Sequence, residues 1–166
     1  MPDHGAAAPT RRGFVLALAL AAAVVIADQL TKVAAEAWLD PYVRLTVLPL
    51  INLTLSYNSG AAFSFLHDQS GWQRWFFSAL ALAVSAGVGA WLWRRERPLD
   101  WQSAGLALIM GGALGNLIDR LVHGYVIDFV DVYYGSYHWP AFNVADSAIT
   151  VGAAILIVRS LFSPGD

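Results

Sequence analysis

From Trp75 to Trp93 the chain runs for 19 residues without a charged side chain, and from Trp101 to Ile118 for 18. Two more runs match them. Gly13 to Ala27 is apolar, and Ala141 to Val158 is apolar apart from Asp146. A helix needs about 20 predominantly apolar residues to cross the hydrocarbon of a bilayer. Four such runs in 166 residues leave little chain for anything else. Only 13% of residues are charged, about half the density of an ordinary soluble domain, too few to coat a water-soluble globule. The expected fold is therefore an all-α membrane protein, one integral domain over 1–166. Its spans are expected at about 13–35, 74–93, 101–120 and 142–160, with loops at 36–73 and 121–141. A net charge of −2 gives no reason to expect a nucleic-acid partner. The absence of cysteine removes disulfides, thiolate metal sites and a cysteine nucleophile together.

The first run also resembles the basic and apolar regions of a cleavable signal peptide, with Arg11 and Arg12 ahead of Phe14 and a tolerable cleavage site at Val25 and Ala27. Against cleavage, the helical pattern continues through Asp28 and Lys32, and further spans follow. Basic residues set the expected orientation. Arg11, Arg12, Arg94, Arg95, Arg97 and Arg159 all fall at one end of four alternating helices. That end is the cytoplasmic one, with both termini inside and both long loops outside. Aromatic residues cluster at the expected interfaces and read as anchors. Gly111 and Gly115, Ser85 and Gly89, and Ala148 and Gly152 have the small-xxx-small spacing of close helix contacts.

The first outer loop has its own structure. Ile51, Leu53, Leu55 and Tyr57 alternate with polar residues, the period of a half-buried strand. Val43 to Leu48 supplies a partner strand, Pro49 interrupts, and Asn58-Ser59-Gly60 turns. Ala61 to Leu66 reads as a short interfacial helix. The loop is expected to form a small extracytoplasmic β-sheet resting on the bilayer surface.

Ionisable groups in or beside spans mark function by default. Asp28 and Lys32, Asp119 and Arg120, and Asp146 all lie toward the outer ends of their helices, and Asp128 and Asp131 follow in the second outer loop. Asp28 and Lys32 share a helical face. Asn116 with Asp119, and Asn143 with Asp146, each place an amide and a carboxylate on one face. Plain structural roles compete with these: Asp28–Lys32 and Asp119–Arg120 as neutralised pairs, Asn143 as a helix N-cap. There is no HExxH, no histidine ligand spacing and no GxSxG elbow, so neither a metal nor a cofactor is expected. Aspartates remain. Two carboxylates held close share one proton, so one can activate water while the other polarises a carbonyl. Residue types alone do not choose which two. A transporter with carboxylate sites and a non-enzymatic assembly factor are the rival readings. The first is disfavoured because the carboxylates sit at one end and no repeat is visible.

Four blocks carry a resemblance: Asp28-Gln-Leu-Thr-Lys32; Tyr57-Asn-Ser-Gly-Ala-Ala-Phe-Ser64; Gly111 to Arg120 running into Val126-Ile-Asp-Phe129; and Phe142-Asn-Val-Ala-Asp-Ser147. In this order and spacing they resemble the bacterial signal peptidase II family, from about Gly13 to Val158. The resemblance implies an aspartic endopeptidase of the bacterial inner membrane. It would cut prolipoproteins just before a lipobox cysteine that carries diacylglycerol, with no cofactor, acting as a monomer beside membrane lipid. It maps the catalytic pair to Asp128 and Asp146. Asn58, Gly60, Asn116, Asp119, Arg120 and Asn143 correspond to site-shaping positions, and Asp28 and Lys32 to a structural pair. Such a dyad would sit on helices three and four near the outer surface, covered by a lid over 61–72.

Overall fold

The computed structural model describes residues 11–60, 71–95 and 97–162. The elements run α1 (Arg12–Trp38), β1 (Leu45–Leu48), β2 (Ile51–Asn58), α2 (Trp72–Arg94), α3 (Trp101–Val122), β3 (Val126–Tyr134), β4 (Tyr137–His138) and α4 (Val144–Phe162). All four helices are long and apolar enough to cross a membrane. At 1.5 Å per residue, the shortest, α4, is about 28 Å long, close to the hydrocarbon thickness. The expected interfacial helix at 61–66 and almost all of the lid at 61–72 lie outside the described residues.

α3 is the centre of the bundle and packs against each of the other three helices. Glycines make this possible. A Cβ at Gly112 would collide with the Ala145 carbonyl of α4, and one at Gly111 would lie 2.7 Å from the Ala21 carbonyl of α1. The spacing of Ser85 and Gly89 does not mark a contact, since a Cβ at Gly89 would meet nothing within 4 Å. Small-xxx-small spacing permits close approach but does not compel it: the Gly89 position of α2 is open, while Val88 and Leu92 beside it pack with Ala17 and Ala21 of α1 and Met110 of α3.

α1 runs without a break through Ala27 to Trp38, and it is long and apolar enough to span a membrane. At one end of the bundle the basic residues are held by local contacts. Asp100 caps α3 by accepting from the Ser103 amide, and it takes Arg95 at 2.6 Å. The Arg11 guanidinium lies 4.2 Å from the Trp93 ring centroid.

At the other end the strands form one antiparallel sheet in the order β1-β2-β3-β4. β1 and β2 match the expected pair. β3 and β4 arise where a loop was expected, from a β-branched and aromatic run, Val-Ile-Asp-Phe-Val-Asp-Val-Tyr-Tyr. β2 pairs with β3 so that Ser56 stands opposite Asp128 and Asn58 opposite Val126. Beneath the sheet, Leu55, Ile127 and Phe129 pack on Ala35 of α1 and Val144 of α4. The sheet is thereby seated on the ends of two spanning helices.

Candidate active site

Three helices and two strands converge on one polar cluster. Its foundation is Lys32, 1% exposed in α1. An ammonium has three protons to donate, and Lys32 Nζ has three partners. They are Asp28 Oδ2 at 2.7 Å, Asp119 Oδ2 at 2.8 Å and Asn116 Oδ1 at 3.0 Å. Asp119 therefore takes its cation from α1, not from its sequence neighbour Arg120. It also accepts from the Ile127 amide at 3.0 Å, which fixes the start of β3. Asp28 accepts from the Ala145 amide at 2.9 Å and so caps α4 from another helix. Gln29 donates to Asp119 Oδ1 at 2.9 Å.

Asparagines carry this order to the two remaining carboxylates. Lys32 holds Asn116 Oδ1, so the Asn116 amide must point the other way, and it donates to Asp146 Oδ1 at 2.7 Å. Asn143 is the N-cap of α4. Its Oδ1 accepts from the Asp146 amide at 2.9 Å, and Asp146 Oδ2 reaches back toward the Asn143 amide at 3.4 Å. This is the reciprocal geometry of a capping box. The Asn143 side-chain amide is then free to donate to Asp128 Oδ1 at 2.8 Å. The cap and the site are thus one structure. Asn58 donates to Asp128 Oδ2 at 3.1 Å, and its own Oδ1 is held by the Gly60 amide at 2.9 Å. Gly60 has φ +95°, and a Cβ there would press on the Phe77 ring at 3.0 Å.

Asp128 lies on β3 and Asp146 on α4, so the pair is split between a strand and a helix rather than placed on helices three and four. Asp128 is buried, whereas Asp146 is partly open. Burial, reinforced by the nearby Asp146 charge, pushes the Asp128 carboxyl up from 3.8 to about 7. Near neutral pH the Asp128 carboxyl is therefore poised between its protonated and ionised forms, beside a second acidic group.

The remaining residues close the rim. Arg120 donates to the Asn116 carbonyl at 3.3 Å, and its guanidinium lies 5.1 Å from the Phe77 ring centroid. Every residue mapped from the motifs joins this cluster. Asp131 does not. It accepts from Asn52 at 2.8 Å and lies 2.9 Å from His138 Nδ1, tying three strands together. Burial raises its carboxyl, but the hydrogen bonds from Asn52 and His138 and the charges of His138 and Arg44 outweigh burial and hold it below the ordinary value. Two participants were not singled out from sequence. Gln29 is an amide inside the Asp28 to Lys32 block. Phe77 reads as one more interfacial aromatic until its contacts with Arg120 and Gly60 are seen.

The family model described as signal peptidase (SPase) II matches residues 20–162, the stretch that contains every one of these side chains. The chain belongs to the signal peptidase II family. It is an aspartic protease of that type and, with four helices able to span, a multi-pass inner-membrane protein. A relative from Alteromonas mediterranea, named lipoprotein signal peptidase, is 50% identical over 147 residues, 89% of this chain and 80% of its own length. One of the same name from Acinetobacter baumannii is 49% identical over 145 residues, 87% of this chain and 82% of its own. A bacterial membrane enzyme solved by the in meso method at 1.9 Å resolution has the same fold. It has a TM-score of 0.78 and 30% identity, covering 90% of this chain and 94% of that one.

Proposed function

We propose that Asp128 and Asp146 are the catalytic dyad with which this protease removes signal peptides from prolipoproteins. The observation that carries this reading is the shared asparagine. Asn143 donates through its side chain to Asp128 and caps α4 through Asp146, so one residue sets both carboxylates. One carboxylate takes a proton from water as the oxygen attacks the scissile carbonyl. The protonated partner donates to the carbonyl oxygen as the tetrahedral intermediate forms. Collapse breaks the C–N bond, and the leaving amine takes a proton from the dyad. The two groups titrate as a unit, so the roles belong to the pair.

The position of the site supports a lipidated substrate. The dyad lies where the helices end and the sheet begins, at the depth where a signal-peptide helix would emerge from the bilayer. A diacylglyceryl-cysteine can present its peptide bond there while its acyl chains stay among lipids. The basic residues at the opposite end favour a cytoplasmic location for both termini and an outer-face location for the dyad.

The test is cleavage of a lipid-modified prolipoprotein by the purified protein. Asp128→Asn and Asp146→Asn should each abolish release of the signal peptide while the protein stays inserted and folded. Normal processing by either variant would remove the assignment. A transporter or an assembly factor would release no peptide in the first place.

A further inference from the structure

β1 and the segments on either side of it carry apolar side chains that the protein leaves uncovered. Val43, Leu45, Val47, Leu48 and Leu50 are each 44–58% exposed, and all four positions of β1 are exposed, so neither face of that strand is packed. In water, an edge strand of this kind invites aggregation. The polar groups at its root are tied down. Thr46 donates to Asn52 at 2.8 Å, Asn52 donates to Asp131, and Arg44 Nε lies 3.3 Å from Asp131.

The backbone adds an independent sign. Among the described residues, the positive-φ residues other than glycine are Tyr42 (φ 62°) and Leu50 (φ 70°). They bracket β1, and they are 69% and 48% exposed. Leu50 follows Pro49 in the two-residue turn, a position that glycine or asparagine fills without strain. The chain places a leucine there and points it outward. In sequence this exposed run follows closely on the end of α1, where Leu30 and Val33 are 65% exposed and Trp38 84%.

We propose that the β1–β2 hairpin is inserted into the acyl boundary of the leaflet on the dyad's side, with bilayer lipid as the occupant of this apolar surface. Leu48 and Leu50 enter furthest. Arg44, its side chain 57% exposed, sits at the root, where its guanidinium meets lipid phosphates. β2 is hydrogen-bonded to β3 at Ser56 and Asp128, so the hairpin sets the height of the dyad relative to the bilayer. The inference rests on the membrane placement given above.

The chain has no cysteine, so single substitutions give unique labelling sites. Nitroxide labels are placed at Leu48→Cys, Leu50→Cys, Leu82→Cys on the exposed face of α2 and Arg97→Cys in the α2–α3 link, each in lipid nanodiscs. Collision with oxygen is compared with collision with a water-soluble nickel chelate. The ratio at Leu48 and Leu50 should exceed that at Arg97 several-fold and approach that at Leu82. A lipid-like ratio at Leu82 with a water-like ratio at both hairpin sites would overturn the hairpin's insertion and leave the spanning helices intact. Shielding of both hairpin labels from both reagents would put protein there and overturn it equally. A water-like ratio at Leu82 would instead overturn the membrane placement itself.

Discussion

Burial raises the Asp128 carboxyl, and Asn58 opposes that rise through one hydrogen bond. It donates to Asp128 Oδ2 and so favours the ionised carboxylate, against burial and the Asp146 charge, which favour the protonated acid. The native state therefore holds this proton up to about pH 7, where an unfolded chain would release it near 3.8. By linkage, Asp128 favours folding at low pH, and that contribution is lost as pH rises from the unfolded value through the folded one. Activity that needs the shared proton should fall on the same alkaline limb. Asn58→Ala removes a bond to the charged form, so the Asp128 carboxyl rises further. The alkaline limb of kcat/KM should move up by about one pH unit, which a pH–rate profile reads directly; a limb that moves down or stays would refute the role. Lys32 acts at greater remove. Lys32→Met leaves Asp28 and Asp119 buried without their cation, a loss of about 3–5 kcal/mol. It also leaves Asn116 Oδ1 held by the Asn143 amide alone, which loosens the Asn116 amide on Asp146. Thermal unfolding in detergent should show the first effect. Among molecules that remain folded at low temperature, kcat should fall on the order of 10–100-fold through misplacement of Asp146. Full kcat in that folded fraction would make Lys32 a purely structural residue.

At the scale of elements, α3 holds the site together because it has no side chain where α1 and α4 must come close. A Cβ at Gly115 would stand 2.7 Å from Asp28 Oδ2. Gly115→Val should force α1 away, break the Lys32 contacts and destabilise the fold by more than about 3 kcal/mol, the range of severe overpacking and of broken buried pairs. Gly89→Ala on α2 meets open space and should leave the protein as stable or slightly more so, through better helix propensity. Comparing the two melting temperatures tests whether close approach, rather than glycine content, is what matters. Both glycines sit in the same sequence pattern, so spacing alone does not separate them. The spans are legible because lipid demands an uncharged run and little else. β1 and β2 are legible because their alternation is local. β3 is less so, since Asp128 and Asp131 interrupt its apolar run and its partner β2 is distant in sequence. Placing Asp128 in a loop followed from that. The site residues are legible through the motifs, but their contacts are not. Nothing in the order Asp119-Arg120 says that the aspartate pairs with Lys32.

At the scale of the whole molecule, the few charges divide into two populations with different tasks. Arg11, Arg12, Arg94, Arg95, Arg97 and Arg159 gather at one end, where Asp100 and the rings of Trp91 and Trp93 receive some of them. Lys32, Asp28, Asp119, Asp128 and Asp146 are gathered at the other end and neutralise or share protons among themselves. The first population is of the kind that is costly to translocate, and the proposed orientation keeps it on the cytoplasmic side. The second is tolerated near the membrane because it is paired and hydrogen-bonded. In the proposed orientation the two ends lie on opposite sides, and the proposed dyad faces the compartment into which signal-peptide helices deliver their cargo. In intact cells, a cysteine at Ser136, in the exposed β3–β4 turn, should react with a membrane-impermeant maleimide. A cysteine at Arg97 should react only after the membrane is opened. The reverse pattern would invert the protein and put the dyad on the cytoplasmic side, where it could not meet a signal peptide that has already crossed. Equal labelling of both in sealed cells would mean that the basic end does not fix a single orientation. With no native cysteine to compete, each label reports one position, and the sidedness of the dyad follows from two measurements on otherwise unaltered protein.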